Sequence, residues 1–184
     1  MKANVDAAIP ALTQMGYGYW GAIDCDQGEI LAKWITQFSM SYEFADEKTV
    51  AVPAEERFTF SQTGKVSENW LVAIGYAEPK TNREPILHRR MAYIQAQTGQ
   101  AKLLQSTSFL FGKLVCLAFY SEIGVPLAAT RSMADAHLAV IHPWPAKGIR
   151  KPFWAHDENA VEFITDILTD ALMASAGNLS KRDG

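Results

Sequence analysis

The chain has 184 residues, of which 48% are hydrophobic and 20% charged, and its formal net charge is −3. A chain of this length buries roughly two thirds of its unfolded surface in one core and is short for two domains, so residues 1–177 are expected to form a single domain and 178–184 a frayed polar tail. The small negative charge supplies no field toward phosphate backbones or anionic lipid, no apolar run reaches the roughly 20 residues of a membrane span, and no signal-peptide pattern opens the chain; nucleic acid and membrane are excluded as expected partners, and a cytoplasmic address is expected.

Val5, Ala8, Ile9, Leu12 and Met15 recur at helical spacing, which predicts a first helix that Pro10 should interrupt or kink. Gly16 to Gly21 interleaves glycines with Tyr17, Tyr19 and Trp20. This is an expected aromatic-anchored turn, and its glycine spacing does not match a phosphate loop. The acidic cluster Asp24, Asp26 and Glu29 precedes Ile30, Leu31, Trp34, Ile35 and Phe38 on one helical face. Carboxylates at that place satisfy free N–H groups of a helix N-terminus, so a cap explains the cluster better than a metal site does. From Phe38 to Phe44 the apolar period changes to two, predicting that the helix ends near Gln37 and feeds a strand. Val50–Val52 and Arg57–Ser61 read as short strands, with a turn at Thr63-Gly64.

Asn69 to Gln105 is the most regular stretch. Trp70, Val72, Ile74 and Tyr76 alternate, residues 86–96 alternate again after a charged break at 78–84, and Gly99 turns the chain into Ala101–Leu104. The pattern predicts an antiparallel meander whose first two strands are joined by a long charged loop and whose last pair is joined by a tight turn. Beyond it, Ser106-Thr107-Ser108 offers cap oxygens to 109–120, a segment apolar on nearly every side, which its length assigns to a buried helix. Leu127–Val140 is helical by its Ala content. Prolines at 143 and 145 rule out regular structure there. A last helix starts at an Asp157 cap, carries Val161, Ile164, Ile167, Leu168, Ala171 and Leu172 on one stripe, and ends before Gly177.

The fold class is therefore α+β: an antiparallel sheet of about four to six strands packed against N-terminal and C-terminal helices on one face, with cystatin-like and NTF2-like cones as architectural analogies only. Cys25 and Cys116 read as reduced thiols. The spacing of His137, His142 and His156 with Asp24 or Asp26 matches neither a helical zinc pair nor a finger, so no metal and no cofactor are expected. A Cys25–His pair is disfavoured because Asp24 and Asp26 oppose a thiolate. His88 and Arg90 share one strand face and could grip an anion, or their charges could pair across the sheet.

The segment Pro143–Trp154 combines three prolines with Trp144, Arg150, Phe153 and Trp154, the residue types that anchor protein interfaces. The expected function is thus that of a non-enzymatic binding or accessory protein, whose partner is another protein, a second copy included. The alternative is a small-ligand binder or enzyme with a pocket between sheet and helices lined by His88, Arg90, His137 and His142.

Overall fold

The computed structural model describes residues 2–45, 47–81, 85–94, 99–143, 155–157 and 159–179. Five helices and six strands follow one another: α1 (Lys2–Gly16), α2 (Cys25–Tyr42), two short 3-10 turns (Glu43–Ala45 and Glu47–Thr49), α3 (Ala54–Thr63), β1 (Trp70–Ala77), β2 (Ile86–Ile94), β3 (Ala101–Phe111), β4 (Leu114–Ser121), α4 (Leu127–Asp135), β5 (Ala139–His142), β6 (Ala155–His156) and α5 (Ala160–Leu179). The strands form one sheet in the order β2-β3-β4-β1-β5. All of these neighbours are antiparallel, and β6 runs parallel to β1.

The α+β class and the strand number agree with the sequence, but the covering of the sheet does not. Trp70, Val72 and Ile74 of β1, with Leu114, Cys116, Ala118 and Tyr120 of β4, pack against α1, α2 and α3. Leu71, Ala73 and Ala77, with Val115, Leu117 and Phe119, pack against α4 and α5. Helices thus cover both faces of the central strands, not one face as expected. This also explains the misreading of 109–120. A central strand buried on both faces loses the alternation of a half-exposed one, and the segment is the end of β3 and all of β4 but its last residue, joined at Gly112-Lys113. Gly112 has φ 57°, and a Cβ there would collide with the Gly16 carbonyl, so the hairpin needs glycine at that position.

The expected meander is correct between β2 and β3, where Met91 pairs with Leu104 and Ile94 with Ala101; Gln95 to Thr98 lie outside the described residues. It is incorrect for β1, which pairs with β4 over seven residue pairs from Trp70↔Tyr120 to Tyr76↔Leu114. The charged connection after β1 must therefore pass two strands to reach the far edge of the sheet.

Helix α1 is continuous, so Pro10 does not interrupt it. Four other local expectations fail. The helix expected over Leu127–Val140 ends at Asp135, and Ala139 and Val140 belong to β5. Helix α2 runs on to Tyr42 because Trp34, Phe38 and Tyr42 form an i, i+4 ladder, with stacked ring pairs 5.7 Å and 5.9 Å apart; the apparent alternation at 38–44 was one face of a helix. Arg57–Ser61, expected as a short strand, lies in α3, which Gly64 closes at φ 64°, and Val50–Val52, expected as another, is neither helix nor strand. Helix α5 continues past Gly177 to Leu179. Its apolar stripe is core as expected, with Val161, Ile164 and Leu168 buried.

Candidate functional site

Of the residues expected to bind, Trp144, Arg150, Phe153 and Trp154 lie outside the described residues. Both roots of their segment are described. His142 pairs with Val72 and Ala155 with Tyr76, on the same edge of β1.

His88 and Arg90 share a face, as the strand period requires, but they grip backbone rather than an anion. Arg90 donates to the Lys48 carbonyl at 3.1 Å, and His88 Nε2 donates to the Thr49 carbonyl at 3.4 Å. Arg89, on the opposite face, meets Asp166 of α5 at 2.9 Å. His88 sits at one end of a directed chain of hydrogen bonds. Burial holds its pKa below the usual 6.5, and its Nε2–H serves Thr49, so Nδ1 accepts from Thr107 Oγ1 at 2.8 Å. Thr107 Oγ1 in turn accepts from Ser39 Oγ at 2.6 Å, and Ser39 Oγ accepts from Gln105 Nε2 at 2.9 Å. Next to this chain the fully buried Glu43 carboxylate receives the N–H groups of Ala51 and Val52 and an Arg57 N–H at 2.7 Å. This region is closed, with every ring nitrogen of His88 committed to structure.

His137 is exposed at the end of α4 with φ 55°. His142 lies on β5, at the opposite edge of the sheet from His88. Four strand spacings of about 4.8 Å separate those edges, so the four polar groups expected around one pocket are not assembled.

His142 has other neighbours. The β1–β5 register moves from Val72↔His142 to Ala73↔Val140, leaving Ile141 as the extra residue of a bulge. Val72 belongs to the face under α1–α3 and Ala73 to the opposite face. The bulge therefore lets His142 share the α2 side with Ile141, where strict alternation would have sent one of them to the other face. There His142, Ile141 and Pro143 line a cleft of about 330 Å3 together with Cys25, Asp26, Glu29 and Ala32 of α2 and Lys65 and Val66. Helix α2 comes close to β5 at Gly28, where a Cβ would stand 4.0 Å from that of Ile141.

The His142 ring is fixed by one nitrogen. Nε2 lies 2.7 Å from the Ser67 carbonyl, and since a carbonyl only accepts, Nε2 carries the proton and Nδ1 the lone pair. Burial lowers the His142 pKa from 6.5, opposed by the Ser67 bond and the nearby Glu29 charge. Across the cleft, Asp24 closes a capping box with Gln27, its carboxylate accepting the Gln27 N–H at 2.8 Å. Cys25 is exposed in the first turn of that helix and unbonded to Cys116, which is buried and whose thiol pKa is pushed up by burial.

The sequence paired Cys25 with no particular histidine, because 117 positions and a bulge separate it from His142. Two signals were present: the Asp24-x-x-Gln27 capping box, which puts Cys25 at the helix start, and the glycine one turn later, which marks a close approach. Among the described residues no group of three or more His, Cys, Asp or Glu side chains is placed to hold a metal ion, and no helix is long and apolar enough to cross a membrane. Comparison with known proteins finds no match for the chain among family models, curated proteins or solved structures.

Proposed function

We propose that the protein is a binding protein that acts by contact with another protein through the segment Pro143–Trp154. What supports this is the placement of the segment's roots. His142 and Ala155 are paired to Val72 and Tyr76 of one strand, and four residues of β1 span about 13 Å. About four extended residues would bridge that distance, whereas twelve are present, among them Trp144, Arg150, Phe153 and Trp154 and prolines at 143, 145 and 152. Prolines lower the ordering cost of binding, and Trp and Arg are the residue types that carry interface energy. Exposed aromatic side chains elsewhere, Tyr17 at 73% and Tyr19 at 74%, add to a surface suited to protein contact.

The test compares proteins that co-purify with the wild type and with Trp144→Ala and Arg150→Ala variants. Each substitution is expected to weaken the partner by about 2 kcal/mol or more with the thermal midpoint nearly unchanged. A melting temperature lowered by many degrees with partner affinity retained would show that Trp144 is a core plug.

A further inference from the structure

We propose that the cleft between the first turn of α2 and the bulged end of β5 is a thiol–imidazole site that takes small acyl esters or thioesters, with Cys25 as nucleophile and His142 as general base. The site goes beyond the protein-contact reading and does not depend on it. Cys25 and His142 face one cleft of about 330 Å3, near the lower end of small-molecule sites, so the acyl group must be small.

The parts have the roles that nucleophilic catalysis requires. Cys25 is exposed, unlike Cys116. His142 offers Nδ1 because the Ser67 carbonyl holds Nε2–H, and this also orients the ring, as the third member of a nucleophile–base pair does. The Ser67 carbonyl is itself positioned, since it also accepts the Trp70 N–H at 3.2 Å, while Ser67 Oγ donates to Glu56 at 2.6 Å. Asp24 accepts the N–H groups of Gln27 and Gly28, which leaves those of Cys25 and Asp26 without a partner among the described residues. Such open first-turn donors suit a developing oxyanion. The proton leaves sulfur as the new bond forms, because His142 stands ready to take it.

In the first step the Cys25 Sγ–H proton passes to His142 Nδ1 while Sγ bonds to the acyl carbon, whose carbonyl electrons move onto oxygen. The intermediate then collapses, the bond to the leaving group breaks, and the leaving alkoxide or thiolate takes the proton from His142. Water, giving its proton to the same nitrogen, hydrolyses the acyl-Cys25 thioester, and the proton returns to sulfur. No oxidant, reductant or metal is needed.

The experiment treats the full chain with 4-nitrophenyl acetate, follows nitrophenolate release, and locates the acetyl group by peptide mass. A burst of one equivalent is expected, with acetyl on Cys25 and none on Cys116. Cys25→Ala should abolish the burst, and His142→Gln should slow it by about 10²-fold, as loss of a general base does. A second measurement covers the case in which His142→Gln fails to fold. The wild-type burst rate should rise through an imidazole ionisation held below 6.5 by burial, against the Ser67 bond and the Glu29 charge; the titratable groups lining the cleft with the ring are Cys25, Asp26 and Glu29 from α2 and Lys65 beyond α3. Acetylation of Cys25 at the rate of the urea-unfolded chain, a rate unchanged in folded His142→Gln, or a pH profile without that ionisation would each overturn the proposal.

Discussion

One histidine stands beside each end of helix α2, in similar surroundings but with different hydrogen-bonding. His88, beside Tyr42 at the C-terminal end, and His142, across from Cys25 at the N-terminal end, are both half-buried, and burial keeps both below the usual imidazole pKa. The difference lies in how many ring nitrogens the protein uses. His88 spends both, on Thr107 and Thr49, inside a chain that also ties Ser39 and Gln105. His142 spends one, on Ser67, and the residue lines a cleft. A buried imidazole with lowered pKa is thus not a functional signal by itself; the count of committed nitrogens separates a structural ring from an available one.

The largest expected effect comes from breaking the closed end. Glu43→Ala removes a fully buried carboxylate and strands Arg57 with the Ala51 and Val52 N–H groups, so urea unfolding should show a loss of about 3–5 kcal/mol. Thr107→Val interrupts the chain at its middle, leaving Ser39 and His88 Nδ1 short of a partner, and should cost about 1–3 kcal/mol.

Acidification should weaken both ends. Each histidine has a folded pKa below 6.5, so near and below that pH the unfolded chain binds more protons than the folded one. The histidine contribution is therefore intact above 6.5 and is lost as pH falls. The urea midpoint should drop on going from pH 7 to 5.5, and less steeply in His88→Gln than in the wild type. Nuclear magnetic resonance titration should find both imidazoles ionising below 6.5, with His88 losing its Thr107 bond as it does so.

The smallest effects belong to the open end. Cys25→Ala should move the midpoint by no more than about 0.5 kcal/mol, since the side chain is exposed. Gly28→Ala has room for its methyl group at ordinary contact distance from Ile141, so it should stabilise by about 0.5–1 kcal/mol through helix propensity. Loss of stability in either variant would mean that this end is as closely built as the other.

How much of this was legible in sequence depends on burial. Strands β1 and β2 were readable because Pro, Gly and charges bound their alternation, and α5 because its stripe has one apolar side. Strand β4 was not, since burial on both faces erased its period. Strands β5 and β6, at four and two residues, are too short to carry a pattern, and they are the elements that place His142 and the segment after it. The polar run Ser106 to Ser108 looked like a helix cap. It is instead a fully buried stretch of β3 whose side chains bond sideways, Thr107 to Ser39 and Ser108 to Thr165 of α5.

The pairing of β1 also has a mechanical consequence. Any tension applied to residues 143–154 enters the sheet through the two short strands at the segment's roots. Strand β6 holds β1 through two residue pairs and β5 through three, whereas β4 grips the other edge through seven. Load applied outward from that edge peels the short strands pair by pair, so β6 should let go first and lengthen the tether. The β1–β4 zipper behind it would stay shut, and the fold would give slack under load before giving way.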